Sequence, residues 1–493
     1  MSLDGRPADA GQPVLSDAAA RVAVTSELGR TLFVEAGAGS GKTSSLVERV
    51  VALVVDGVPI ESIAAITFTE AAASELRLRV RDALRDRGDR QNNRALIEAS
   101  ASVETAPITT LHGFALRLLM QYPVEAGLPP GFELIDEISS ILDFDDAWRV
   151  FVGQIGDDLE LLDLQSRASV LQLQLRHFPE VARRFDDNWD LLEGVELEPP
   201  PLRPIDLAAL FDSLADVASL AEQCAFSDDL LVAELVRFGT EAEALRHRDA
   251  LDQVERLRAL RYPALNKGKK ASWIAVGIDE VKQQVRDAKE LVKQVLGELS
   301  DEVLKHYVAL VAEFVATRVA DRQERGRLSF HDLLVLARRL LRSNETVRFR
   351  LHQQYSRLLL DEFQDTDPIQ IELAVLLAAE NPVNTTDWPT LAAEIPPGRL
   401  VVVGDPKQSI YRFRRADIGV YSRSERSLVD DATRLTTNFR SVPGIVDFVN
   451  HLFGSAIGNG ELDAQPAYTP LDAHREPNPE VPDAPAVVVL GGP

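Results

Sequence analysis

The sequence contains a single cysteine, Cys224, which rules out an internal disulfide and any metal site built on several thiolates. No apolar run approaches the roughly 18 residues that a membrane-crossing helix requires. The first ten residues hold no apolar signal core. A cytoplasmic protein without a membrane partner is the expectation. A surplus of basic charge is also lacking: 53 lysines and arginines face 77 aspartates and glutamates, a formal net charge of −24. Bulk attraction to nucleic acid is therefore disfavoured. Screening confines such fields to about 8 Å at physiological salt, so a local basic groove stays compatible with the balance. The 45% apolar and 26% charged content is that of a globular chain, and 493 residues can hold about three or four domains.

The most informative stretch is Thr31-Leu-Phe-Val-Glu-Ala-Gly-Ala-Gly-Ser-Gly-Lys-Thr43. An apolar run that reads as a buried strand enters a small-residue loop. Helical spacing of apolar residues follows from Ser44 to Val55. Ala36, Gly37, Ala38, Gly39, Ser40, Gly41, Lys42 and Thr43 have the pattern of a phosphate-binding loop. Its backbone N–H groups and the positive end of the next helix surround phosphate oxygens. Lys42 is placed to reach the β- and γ-phosphates, and the Thr43 hydroxyl to take one Mg²⁺ position.

Further strands are expected at Ile63–Thr69 and Ala106–Thr110, alternating with helices, and this pattern implies an α/β fold with a parallel sheet. A helix is expected over Ser16–Leu28, with Ser16 or Asp17 at its N-cap. Pro123, Pro129, Pro130 and Gly131 read as a linker, and helical periodicity dominates from about 137 to 320. Strands return at Ser356–Glu362 and Arg399–Asp405, both apolar runs ending in acid. The expected domains are 1–120 and 330–430 for the α/β part, 121–329 for an all-α insertion, and 431–493 for an incomplete further domain. A last strand is expected at Ala486–Leu490.

Asp361 and Glu362 end an apolar strand, which puts both carboxylates at the sheet edge beside the loop. Asp361 suits a metal-holding role through water and Glu362 that of general base for hydrolysis. Gln408, three residues past the strand-end Asp405, suits a γ-phosphate sensor. Tyr411-Arg-Phe-Arg-Arg415 interleaves rings with cations, as a single-strand stacking platform does, although two core rings at a helix start fit as well. The turn holding Lys267, Lys269, Lys270 and Trp273 is open between a nucleic-acid contact and a solvated lysine loop.

Leu360-Asp-Glu-Phe-Gln-Asp-Thr-Asp-Pro-Ile-Gln370 resembles motif II of the UvrD/RecB-type superfamily 1 DNA helicases. Ala65–Arg77 resembles motif Ia, Thr110-Leu-His-Gly-Phe114 the T-x-H-x-F element, Val403–Asp417 motif III, and Leu435-Thr-Thr-Asn-Phe-Arg-Ser441 motif IV. The order is that of the family. The resemblance implies a RecA-like P-loop NTPase domain, a helical insertion and the start of a second RecA-like domain. It implies Mg²⁺ and ATP as cofactors, and 3′-to-5′ movement on single-stranded DNA with duplex unwinding in repair or recombination. A second helicase or nuclease subunit is an implied partner.

By the same resemblance Arg440 faces the γ-phosphate from the second motor domain and Phe439 stacks on adenine. Phe68, Thr69, His112, Phe114, Tyr411, Phe413 and Arg414 would line the DNA path, with Phe68 and Phe114 equally readable as core rings. The chain departs from the family pattern in three places. Ala18–Ala20 stand where an adenine-reading glutamine is expected, Glu70 replaces a lysine, and nothing after 441 resembles motifs V and VI. The alternative expectation is a fragment, or a non-motor subunit, that binds ATP and a partner without unwinding DNA.

Overall fold

The computed structural model describes residues 15–195, 197–380, 390, 392–412, 415–461, 464–476 and 485–488. Two compact units divide the chain: one takes residues up to Phe132 together with those from Phe330 onward, and the other is Glu133–Ser329.

The first unit is built on a six-stranded sheet: β1 (Leu32–Ala36), β2 (Ile63–Thr67), β3 (Ile108–Thr110), β6 (Arg357–Leu360), β7 (Leu400–Gly404) and β8 (Thr433–Leu435), in the order β3-β2-β6-β7-β1-β8. Every pairing is parallel; Leu32 lies opposite Val401, and Leu358 opposite Leu400. The uninterrupted apolar runs are the cause. β2 and β7 are buried at every position, which parallel strands covered by helices on both faces require. Val34, Leu359, Val401 and Val403 join Leu46, Val50 and Leu53 of the helix Lys42–Val55, and Leu76, Val80 and Leu84 of the helix Glu70–Gln91, in one core.

Two expectations change here. The strand Thr433–Leu435, assigned by sequence to a second domain beginning at 431, pairs with β1 and is the sixth strand of the first sheet. Its register, Val34 opposite Thr433, is set by strands about 400 residues apart in sequence, which local periodicity does not report. After it, β9 (Thr437–Asn438) and β10 (Asp472–Ala473) form a separate two-stranded parallel sheet, against which the helix Pro443–Ala456 packs. Of the last expected strand, Ala486–Val488 are not in a strand, and residues 489 and 490 lie outside the described residues.

The helical unit starts at Glu133 rather than 121; before it, the helix Leu111–Gln121 packs on the first unit's helix Phe330–Ser343, and the buried Tyr122 and Leu128 stay with that unit. Where its chain begins and ends, β4 (Glu133–Leu134) pairs with β5 (Arg327–Leu328). Its longest helix, Ile278–Arg325, has 48 residues. Buried Arg318 and Arg322 of that helix both reach Asp186, at 3.4 and 2.7 Å. Trp273 is only 2% exposed, so it anchors the lysine turn in the core and leaves no free ring for stacking.

Candidate nucleotide and nucleic-acid site

The site residues come from chain segments that leave the C-terminal ends of the parallel strands, the edge where open α/β sheets bind ligands. After β1 the loop turns through Gly39 and Gly41, with φ of 73° and 86°, a region costly for residues with a Cβ. Ser40 is buried and donates its hydroxyl to the Gly37 carbonyl at 2.7 Å, fixing the loop from within. Lys42 and Thr43 open the helix Lys42–Val55, so their backbone lies at its positive end.

After β6, Glu362 takes a left-handed backbone, φ 53°. Its carboxylate receives Lys42 Nζ at 2.8 Å and Gln364 Nε2 at 2.7 Å. Burial, then the neighbouring Glu362 charge, push the Asp361 carboxyl up to about 6; the same causes push Asp365 up to about 6. A buried carboxylate whose ionisation is resisted, beside a second carboxylate, is a donor set that a divalent cation fits. Asp361 and Thr43 are the residues that would hold Mg²⁺.

Motif III follows β7. Gln408 donates to Asp405 Oδ2 at 2.7 Å. Lys407 Nζ meets Glu35 at 2.7 Å and Asp405 at 3.2 Å. Burial opposes the Lys407 charge, but the two carboxylates outweigh it and hold the ammonium above its usual value. Arg434 of β8 reaches the same Glu35 at 3.1 Å.

The segment after β8 lies on the phosphate loop. Asn438 Nδ2 donates to the Ala38 carbonyl at 2.6 Å, and the Phe439 N–H to the Gly39 carbonyl at 2.9 Å. A Cβ on Gly39 would stand 2.7 Å from Arg440 Cβ, so this close approach requires glycine. Arg440 thus borders the loop and falls in the same compact unit as the sheet. Phe439 is half-exposed beneath the Arg21 guanidinium, 4.8 Å from the ring centre. Arg21 also donates to the Ser40 carbonyl at 2.9 Å. Asp17 accepts from the N–H groups of Thr436 and Thr437 at 2.9 and 3.0 Å, and from the Thr437 hydroxyl at 2.7 Å. It occupies the N-cap position of the helix Ala18–Ser26 without capping it, because its carboxylate is committed to this segment and to Arg21.

The structure brings Phe68 and Tyr411 together, half-buried, with ring centres 5.0 Å apart. The Thr69 hydroxyl caps the helix Glu70–Gln91 through Ala72 N. Glu70 accepts from the Thr110 hydroxyl at 2.6 Å, fastening the β2 and β3 ends where the resemblance expects a lysine. His112 meets Phe330 edge-on at 5.8 Å. Phe330, 53% exposed, is a ring that motif reading missed. Phe114 is corrected: it is 1% exposed, 5.2 Å from Tyr355, and a core ring rather than a DNA contact. Phe413 and Arg414 lie outside the described residues.

Gln364, Asp17, Arg21 and Glu35 were also missed. Only Gln364 carried a signal in the sequence, as a further polar residue inside motif II.

Among known proteins, the pattern of the UvrD/REP helicase N-terminal domain matches residues 16–428. The chain is similar to proteins named as subunits of an ATP-dependent helicase/nuclease. The one from Levilactobacillus brevis is 28% identical, over 89% of this chain and 38% of that protein. Those from Latilactobacillus sakei and Bacillus velezensis are 26% and 28% identical, over 88% and 90% of this chain and 54% and 40% of theirs. The chain therefore spans between 38% and 54% of the length of these relatives. With a parallel sheet of the RecA-like kind and five ordered motifs at its edge, the chain belongs to the UvrD/REP helicase N-terminal domain family.

Proposed function

We propose that the chain carries the nucleotide-hydrolysing half of an ATP-dependent DNA helicase or translocase, acting in repair or recombination with 3′-to-5′ movement on single-stranded DNA. The carrying observation is the Lys42–Glu362 pair at 2.8 Å, with the base of one strand end in reach of the cation of another. The triphosphate of ATP offers Lys42 a stronger partner than one carboxylate, so binding releases Glu362 toward a water molecule. Glu362 then takes the proton as the water oxygen bonds to the γ-phosphorus and the bond to the ADP oxygen breaks. Bound Mg²⁺ would supply charge neutralisation at the phosphates from the Thr43 and Asp361 side. Arg440 borders the loop and suits charge stabilisation there, and Gln408 suits sensing of the γ-phosphate. Phe439 offers its ring to the base.

Phe68, Tyr411 and His112 suit a path for single-stranded or duplex DNA, with Thr69 at its backbone edge and Phe330 as an added ring. The relatives are named as subunits, which supports a second polypeptide as partner. The test is phosphate release by the chain with and without a single-stranded oligonucleotide. Stimulation by DNA, lost in Tyr411→Ala while nucleotide binding persists, is expected. ATP binding with no turnover under either condition would favour a non-motor, ATP-binding role instead.

A further inference from the structure

Gln364 is 3% exposed, and both ends of its amide are committed. Its Nε2 donates to Glu362 Oε2 at 2.7 Å and to Asp365 Oδ2 at 3.3 Å. Its Oε1 accepts the Asp405 N–H at 2.9 Å, and its backbone carbonyl accepts the Ser409 hydroxyl at 3.0 Å. The β7 end is shaped around this amide: a Cβ on Gly404 would stand 2.9 Å from Gln364 Oε1. One side chain therefore grips the carboxylate after β6 and the backbone after β7. An amide of this reach serves both contacts, because it carries a donor at one atom and an acceptor at the other.

Glu362 needs such a hold. Its left-handed backbone is not one that ordinary preference fixes. Among the described residues its carboxylate accepts from two side chains, Lys42 and Gln364. When phosphates draw Lys42 away, Gln364 is the contact that remains. The segment it grips runs from Asp405, which holds Gln408, through Ser409 to Tyr411 against Phe68.

We propose that Gln364 is a positioning residue that aims the Glu362 carboxylate and makes that aim depend on the Asp405–Tyr411 segment, so that DNA at Tyr411 raises the rate of hydrolysis at Lys42. The inference rests on the functional reading above, in which Glu362 is the base and Tyr411 meets DNA.

The test compares the intact protein with Gln364→Met, which keeps the reach without hydrogen bonds, and Gln364→Glu, which keeps the shape without the donor. Steady-state phosphate release is measured with and without an oligothymidylate. Nucleotide affinity, oligonucleotide affinity and melting temperature are measured alongside. Both variants are expected to lose at least about tenfold in DNA-stimulated kcat, with KM for ATP and DNA affinity held within about threefold, the split that marks lost transition-state positioning. The ratio of stimulated to unstimulated rate should fall toward one. Retained stimulation in Gln364→Met overturns the inference and leaves the functional reading standing. Loss of kcat, affinity and melting temperature together in both variants also overturns it, since that is a purely structural role. A wild-type protein without DNA-stimulated turnover removes the functional reading, and the inference with it.

Discussion

At the scale of single residues, the phosphate-loop cation is already paired. Lys42 holds Glu362 at 2.8 Å, so nucleotide must displace a carboxylate to bind. Glu362→Gln weakens that competition. Its nucleotide affinity is expected to equal or exceed wild type, whereas Lys42→Ala should lose at least about tenfold in affinity with its charge-assisted contact to phosphate. Titration with a fluorescent nucleotide checks both, and weaker binding in Glu362→Gln than in Lys42→Ala would contradict the pairing. Protonation adds a second expectation. Asp361 and Asp365 are raised from 3.8 to about 6, so the folded state takes up protons more readily than the unfolded chain. Their contribution favours folding at low pH and is lost as pH rises through about 6. Without metal or nucleotide, thermal stability should carry a downward component from about pH 4 to 6, between the unfolded and folded values, that Asp361→Asn reduces. An unchanged profile in Asp361→Asn would remove the assignment.

Lys42, Asp361, Glu362 and Gln408 could be proposed from sequence because each sits in a run whose neighbours suggest its chemistry, and the structure adds the contacts Lys42–Glu362 and Gln408–Asp405. Asp17 and Glu35 could not, because their partners at 437 and 407 come near only through the sheet order. Phe114 shows the opposite failure. A ring inside a motif reads the same whether it faces solvent or, as here, Tyr355 in the core.

At the scale of elements, the helix Ala18–Ser26 is fastened at both ends by polar groups. Arg49, fully buried on the helix Lys42–Val55, donates to the carbonyls of Val24, Glu27 and Arg30 at 2.7, 3.3 and 3.3 Å. Burial lowers its guanidinium to about 10, yet three carbonyls at a helix C-terminus justify the charge. Arg49→Ala leaves them without that donor and is expected to cost roughly 2–4 kcal/mol, read by urea unfolding. A change below about 0.5 kcal/mol, the range of an ordinary surface substitution, would show the contacts to be dispensable. At the other end Asp17 carries the segment that covers the phosphate loop. Asp17→Ala should speed amide exchange at Thr436 and Thr437 by about tenfold or more, equivalent to one lost hydrogen bond of about 1.4 kcal/mol, and leave β7 protected. Equal loosening of β7 would mean that the whole sheet depends on Asp17. Strands and helices themselves were legible, since continuous apolar runs and helical spacing are local. The sixth strand was assigned to the wrong domain because pairing is not.

At the scale of the whole chain, helical texture marked off an insertion, and the second compact unit starts at Glu133, at the far end of the stretch that holds Pro123, Pro129, Pro130 and Gly131. No helix among the described residues is long and apolar enough to cross a membrane. The net charge of −24 leaves little for long-range attraction, so DNA affinity should come from ring stacking and a few local cations. On the proposed function, one carboxylate, Glu362, turns over ATP when DNA occupies the sheet edge. The most direct test is phosphate release by the intact protein with saturating oligothymidylate, wild type against Glu362→Gln. The expected result is a kcat lowered by at least about 10²-fold, the usual worth of a general base, with nucleotide still bound. DNA-stimulated turnover in Glu362→Gln close to the wild-type rate would contradict the account.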